Sequence, residues 1–321
     1  MPIPEALAKM LRQQKYQLIG SGWTAAVKKC HWLHAALTSN KFCYKNWYGI
    51  ESHRCIQMTP VLACPNSCLH CWRVERGDLG GQVKWSEEDL MTYDDEHELF
   101  NQAIRAQFRI LTGYKSNPKV IRERYIEALH PKHFAISLAG EPTLYPKLGD
   151  FIKLCRSKGF TTFLVTNGMY PQRLLKLLDG GQPSQLYLSV NSSSEEEFKA
   201  LSRSSLPDGW SRLLESLSLL KHFKCPTVVR ITLIQGVNDH DVDGFAKLIS
   251  LGEPWYVEVK GYMYLGFSRF RLKLENMPRH KRIVEFAEKL GEAIGYKLVA
   301  DSLSSRVALL SRIGSPVKVK P

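Results

Sequence analysis

The 321-residue sequence contains no apolar run approaching the ~20 residues that cross a bilayer. Its N-terminus, MPIPEALAKMLRQQKYQLIG, has no apolar core followed by small residues. Both absences argue against a secretory leader or a membrane partner, so a cytoplasmic protein is expected. No segment repeats and none is of low complexity, which argues against a solenoid or a disordered chain. Acidic residues are in short supply: 31 Asp and Glu stand against 44 Lys and Arg, leaving a net charge of +13. Such a field draws polyanions, nucleic acid first among them, although a solvated basic surface has the same composition. Cysteine is nearly absent outside one region. Six of the eight lie between Cys30 and Cys71, and only Cys155 and Cys225 fall beyond it. A disulfide scaffold would be a small secreted domain, whereas clustered cysteines in an intracellular chain point to metal. Cys155, in FIKLCRSKG, sits on a helical pattern and packs as a small apolar residue. Cys225 is assigned no role.

What the chain does have is alternation. Residues 1–58 read as an N-terminal extension, helical at first and then irregular and aromatic-rich. Strand-like runs follow at TPVLAC (59–64), HFAISLA (133–139), TTFLVT (161–166), QLYLSV (185–190), TVVRITLI (227–234) and WYVEVKG (255–261). Such apolar, β-branched runs suit strands covered on both faces. Amphipathic stretches lie between them, near 86–112, 147–158, 171–179, 194–203, 208–222, 241–251 and 279–294. This order predicts an α/β fold with a parallel sheet and right-handed crossovers. Six units are too few for an eight-stranded barrel. The expectation is a partial (β/α)6 TIM-like barrel over 59–300 with a basic tail over 301–321; periodicity alone leaves a doubly wound open sheet as the alternative. In either architecture the chemistry sits at the C-terminal ends of the strands. CPNSCLHC, GEPT, NG, NSS and QGVND follow five successive strands. Turns favour Gly, Asn and Ser for their own reasons, but Glu141 between Gly140 and Pro142 places a carboxylate where it would face a site.

Cys64, Cys68 and Cys71 lie in VLACPNSCLHCWR with C-x3-C-x2-C spacing. A 4Fe–4S cube has four irons and usually takes four thiolates. Three leave one iron open, as catalytic metal sites do. Zinc is the competing reading, with His70 or Cys55 as a fourth ligand. Cys30, Cys43 and Cys55 form a second set, separated by 12 and 11 residues. They could be core cysteines, yet KFCYKNWYGIESHRCIQMTP is irregular, and three again suggests a cluster with an open iron.

The signature resembles that of the radical S-adenosylmethionine (SAM) superfamily, with His70 at a position that is usually aromatic. The resemblance implies a partial (β/α)6 barrel, SAM bound to the open iron, and its cleavage to methionine and a 5′-deoxyadenosyl radical. Ala139, Gly140, Glu141, Pro142 and Thr143 resemble the motif that meets the methionine amino group, with alanine where glycine is usual. Asn167, Ser189 and Asn191 fall where other strand ends contact SAM. With the N-terminal triplet added, CPNSCLHCWR and LAGEPTLYP are similar to the 4-demethylwyosine synthase family of the tRNA wybutosine pathway, over about residues 25 to 300.

That resemblance implies a carbon–carbon lyase. It would condense pyruvate with N1-methylguanosine beside the anticodon of phenylalanine tRNA to close a third ring. The radical would take hydrogen from the N1-methyl group, the carbon radical would add to the pyruvate carbonyl carbon, and the carboxylate carbon would leave. A second 4Fe–4S cluster at Cys30, Cys43 and Cys55 would hold pyruvate as template and Lewis acid. A lysine would form a Schiff base with pyruvate: Lys41 is the candidate, Lys45 the alternative. Eukaryotic members carry an additional flavodoxin-like domain that is not seen in this sequence, so the expectation is the single-domain archaeal form, a monomer with an external electron donor. Candidate tRNA contacts are RFRLK (269–273) with PRHKR (278–282), KSNPKVIRER (115–124) and PVKVK (316–320). Trp72 and Trp47 are candidates for stacking on a base, and Arg73 and Arg76 for phosphate or carboxylate. Two other readings are a radical SAM enzyme for another substrate and a zinc-dependent nucleic-acid-binding protein.

Overall fold

Ten strands pair into one sheet: β1 (Tyr16–Ile19), β2 (Ala25–Lys28), β3 (Cys55–Thr59), β4 (His133–Ile136), β5 (Thr161–Thr166), β6 (Gln185–Ser189), β7 (Thr227–Leu233), β8 (Tyr256–Gly261), β9 (Lys297–Ser302) and β10 (Val307–Ser311). The computed structural model describes residues 3–75, 77–78, 86 and 88–321. Strand order is β1-β2-β3-β4-β5-β6-β7-β8-β10-β9. β3 to β8 run parallel, and antiparallel hairpins extend both edges. The edge strands β1 and β9 do not pair, so the barrel stays open. The helices are α1 (Glu5–Gln13), α2 (His31–Ser39), α3 (Glu96–Thr112), α4 (Arg122–Ala128), α5 (Leu148–Ser157), α6 (Pro171–Asp179), α7 (Glu195–Ser202), α8 (Gly209–Leu219), α9 (Val242–Gly252) and α10 (His280–Ile294).

The strand period of two sorts side chains between the faces. Ile56, Ile136, Leu164, Leu186, Leu188, Val229 and Val257 are buried in the main core with helix residues such as Phe151, Leu217, Phe245 and Phe286. The alternate positions form the concave face. At its base Phe163, Tyr187, Val228 and Tyr256 pack with Tyr48 and Ile50. Higher up, Gln57, Ser137, Val165, Ser189, Arg230, Thr232 and Lys260 line a cavity. One sheet therefore has an oily outer face and an inner face that is apolar at its base and polar along the cavity.

Three expectations need correction. The first parallel strand is Cys55–Thr59, not 59–64. Pro60 has no N–H for the ladder, and 61–64 is loop, held by Leu62 N–H donating to Thr24 O (2.8 Å). The 1–58 extension adds two strands to the sheet, and the 300/301 boundary falls inside β9. PVKVK is not a free arm: Val319 N–H donates to Tyr48 O (3.0 Å), and Lys318 Nζ donates to the carbonyls of Asn46 and Trp47. The tail closes the base of the barrel, away from the strand ends that carry the chemistry.

Candidate metal centres and active site

The loop after β3 carries Cys64, Cys68 and Cys71, none of them in a disulfide. Its backbone is pinned from two sides. Ser67 and Leu69 N–H donate to Ser202 O and Leu201 O at the end of α7 (3.0 and 2.9 Å). Across the mouth, Arg271 donates to the carbonyls of Cys68 (3.1 Å), Cys71 (2.5 Å) and Arg73 (3.0 Å), and pairs with Glu75 at 2.9 Å. Burial pushes all three thiols above the ordinary cysteine value; neighbouring thiols add to it for Cys64 and Cys68, and the Glu75 charge for Cys71. A metal taken up here would displace their protons.

Gly140 follows β4 and has φ +63°, in the left-handed region that favours glycine. A Cβ there would strike the Val61 and Ala63 carbonyls of the cysteine loop. Glu141 N–H donates to Ala63 O (2.7 Å), so this turn fixes the loop's height. Gly140→Ala is expected to displace the loop and lower the iron retained after reconstitution, measured as iron per chain. Retention equal to the unsubstituted protein would refute that contact.

The Glu141 carboxylate is buried and mostly engaged. Oε1 accepts from Thr143 N–H (3.1 Å) and from the Thr143 and Thr166 hydroxyls (2.6 Å each). Oε2 accepts from Asn167 N–H (2.8 Å). Burial raises its pKa against these hydrogen bonds. Glu141 thus ties the ends of β4 and β5 together, and Oε2 keeps one acceptor position. Asn167 Nδ2 reaches Cys64 Sγ at 3.5 Å. Asn191 Oδ1 accepts from Thr232 N–H (2.8 Å), and its Nδ2 lies 3.4 Å from His70 Nε2. Burial first, then the charges of Arg271 and Arg73, push His70 down to about 4, so the ring is neutral. Cys64, Cys68, Cys71, Ala139, Gly140, Glu141, Pro142, Asn167, Ser189 and Asn191 all line one cavity of about 650 Å³; Thr143 stands behind it as a partner of Glu141.

The second thiol set lies under the same cavity. Cys30 lines it and caps α2 by accepting from Leu33 N–H (3.3 Å). Cys43 precedes a 3-10 turn over Tyr44–Tyr48, and Cys55 opens β3. Burial raises all three, Cys30 to about 11; neighbouring thiols of the set raise Cys30 and Cys55 further, and the Glu258 charge raises Cys43. Among the described residues no three cysteine sulfurs lie within 4.8 Å of one another. A zinc tetrahedron with Zn–S of about 2.3 Å would hold its thiolates about 3.8 Å apart. The three thiols are not gathered at that spacing. Glu51, His53 and Glu127 do converge within 4.8 Å, but Arg54, Lys132 and Arg124 already neutralise those carboxylates.

Beside the second set is a buried polar cluster. Glu258 sits opposite Arg230 in the register of β7 and β8. Its carboxylate accepts from Arg230 (2.8 and 3.1 Å) and from the hydroxyls of Tyr44, Tyr48 and Tyr187 (2.9 to 3.1 Å). Burial opposes its charge, but Arg230 and Lys45 outweigh that and hold it below the usual carboxyl range. Lys45 Nζ is buried, has no hydrogen-bond partner, and lies 4.1 Å from the Tyr187 ring centre. Burial, then the Arg230 charge, lowers it to about 8.

Residues 58–249 match the Radical SAM superfamily and residues 251–312 match the Wyosine base formation family. A tRNA 4-demethylwyosine synthase dependent on S-adenosyl-L-methionine, from Pyrococcus abyssi, is 43% identical over 97% of this chain and 90% of its own length. One from Methanocaldococcus jannaschii is 39% identical over 99% of both. This chain belongs to the radical SAM tRNA 4-demethylwyosine synthase family. A solved structure described as TYW1 with a lysine-pyruvate adduct bound superposes with a TM-score of 0.85, at 37% identity and 97% coverage of both chains. An archaeal TYW1 crystal structure superposes at 0.77, with 34% identity over 98% of this chain and 99% of that one. Membership in the radical SAM family implies SAM and a 4Fe–4S cluster.

Within this family's site, the two candidate lysines have different surroundings. Lys41 is exposed just beyond α2, because the chain turns outward at Asn40 (φ +51°). The buried amine is that of Lys45. Trp47 packs against Tyr44 at the base, whereas Trp72 lines the cavity, stacked on Tyr16 with Lys28 Nζ 4.6 Å from its ring. Arg73 is turned inward to Ser137 O (3.1 Å) and Cys71. Arg76 lies outside the described residues. Sequence reasoning passed over Glu258, Arg230 and Lys260, and took Arg271, within RFRLK, for a tRNA contact, whereas it clamps the cysteine loop. The signal was present for the first three: charges at alternate positions inside the apolar runs TVVRITLI and WYVEVKG share a face that no oily core would accept.

Proposed function

We propose that this chain condenses pyruvate with N1-methylguanosine beside the anticodon of phenylalanine tRNA, forming the tricyclic wybutosine precursor by carbon–carbon lyase chemistry. The observation that carries the proposal is the buried, unpartnered Lys45 amine, which feels the Cys43 and Cys55 thiols and packs over the Phe163 and Tyr187 rings of the concave face. Cys64, Cys68 and Cys71 would hold the cluster that, with SAM bound, would supply a 5′-deoxyadenosyl radical. The SAM-binding groups are Ala139 to Thr143, Asn167, Ser189 and Asn191. The Glu141 Oε2 acceptor position suits the methionine amino group, and the Ser189 hydroxyl, which makes no hydrogen bond among the described residues, is open to a ligand.

Cys30, Cys43 and Cys55 hold a second 4Fe–4S cluster in this reading. Lys45 adds to the pyruvate carbonyl carbon and water leaves, giving an imine. Glu258 balances the charge of its protonated form, and the hydroxyls of Tyr44, Tyr48 and Tyr187 keep that carboxylate in place. A small external electron donor reduces the protein, which works as a monomer in the cytoplasm.

The test is anaerobic reconstitution followed by incubation with SAM, pyruvate and tRNA carrying N1-methylguanosine, read by nucleoside mass spectrometry. The tricyclic base and about eight irons per chain, the sum of two cubes, are expected. Unchanged N1-methylguanosine under conditions that cleave SAM would refute the substrate assignment. About four irons would refute the second cluster.

A further inference from the structure

The segment after β8 forms a shelf at the lip of the cavity. Tyr262, Met263 and Leu265 line the cavity itself. The shelf is joined to the cysteine loop: Phe267 N–H donates to Trp72 O (2.9 Å), and Arg271 holds the carbonyls of Cys68, Cys71 and Arg73. It is fixed beneath by Ser268, whose hydroxyl meets Tyr262 OH at 2.9 Å and Leu265 O at 2.7 Å. Yet its upper surface is apolar and open. Met263, Leu265, Phe270 and Leu274 are 43%, 37%, 67% and 61% exposed, and few large apolar side chains among the described residues are as exposed as Phe270. The shelf, with the start of α10, also carries exposed cations at Arg269, Lys273, Arg279 and Lys281. Its acids are Glu275, paired with Lys273, and Glu285, paired with Lys281.

An exposed aromatic ring among cations is how proteins hold unpaired nucleotides: the ring stacks on a base and the cations meet the phosphates. A buried cavity cannot receive a base that stays in its own stack, so the neighbours left behind must be held at the lip. We infer that the Met263–Leu274 shelf docks the anticodon loop, with Phe270 stacking on an unpaired base next to the extruded one and Arg269 contacting a phosphate. The occupant is argued from charge: a +13 chain with cations beside the exposed ring fits a polyanion better than another basic copy of itself.

The inference rests on the tRNA reading above, and one binding experiment separates the two. Full-length reconstituted protein is titrated into fluorescently labelled tRNA carrying N1-methylguanosine, over a range of salt. Phe270→Ala and Phe270→Leu are each expected to weaken binding about tenfold, as loss of one stacked base does, with an unchanged melting temperature and iron content. Phe270→Trp is expected to bind as well as the unsubstituted protein. Arg269→Ala is expected to flatten the plot of log affinity against log salt by about 0.7, the share of one single-strand phosphate. Failure of the unsubstituted protein to bind this tRNA would sink the tRNA reading itself. Full binding by Phe270→Ala would overturn the shelf assignment and leave the surface to a protein partner. Full binding by Phe270→Leu would overturn stacking.

Discussion

Lys45→Ala is expected to lower formation of the tricyclic base by roughly a thousandfold or more, the scale seen when a covalent nucleophile is removed. Lys41→Ala is expected to stay near the starting rate. The two lysines differ in surroundings, not in type. Lys41 is in water, beyond the last turn of α2. Lys45 is enclosed, with its amine over the rings of Tyr187 and Phe163 and no hydrogen-bond acceptor. Burial and the Arg230 charge bring it to about 8, against about 10.4 for a free lysine. An unprotonated amine is therefore present near neutral pH, as Schiff-base chemistry requires. The rate of adduct formation should rise with pH up to about 8 and then level off. A rate still rising steeply well above that would mean that the reacting amine is an ordinary one. Nucleoside mass spectrometry and single-turnover adduct formation provide the two readings.

Glu258→Gln is expected to destabilise the protein by about 3 kcal/mol or more, because it strips a fully buried carboxylate from the Arg230 guanidinium. Arg230 would keep its charge inside the barrel with a neutral partner. The pH dependence gives a second reading. The folded-state pKa of Glu258 is held below its ordinary value, so the stability it contributes is present above the unfolded carboxyl pKa. That stability is lost as pH falls through the lower folded value. Denaturant melts of the unsubstituted protein should weaken across that acid window, and Glu258→Gln should flatten the slope there. Equal midpoints for the two proteins at neutral pH would contradict the buried-pair account.

Much of this was legible before any coordinates. The six parallel strands, the helices between them and the convergence of CPNSCLHC, GEPT, NG and NSS on one rim follow from alternation and from strand polarity; QGVND, the fifth group expected there, does not line the cavity. The misplaced first strand shows the limit of apolar runs. TPVLAC reads as a strand, but Pro60 cannot join the ladder and the strand is the preceding CIQMT, whose polar residues hid it. The short hairpins YQLI–AAVK and β9–β10 gave too little periodicity to register, and they became strands because open sheet edges accepted them. Cys43 and Lys45 are neighbours in sequence with Lys41, and nothing in KFCYK says which amine turns inward. The left-handed residue at Asn40 and the 3-10 turn after Cys43 decide that, and both are tertiary outcomes. The Arg271 clamp spans some two hundred residues of chain, beyond the reach of any local pattern.

The central claim is that pyruvate is captured by one buried amine beneath the cysteine loop. The direct measurement is borohydride reduction of the reconstituted protein in the presence of pyruvate, followed by proteolysis and peptide mass spectrometry. The account predicts a single reduced adduct, pyruvate plus amine less water plus two hydrogens, on the peptide containing Lys45, and its loss in Lys45→Ala. An adduct on Lys41 or Lys260, or none at all under conditions that support turnover, would contradict it.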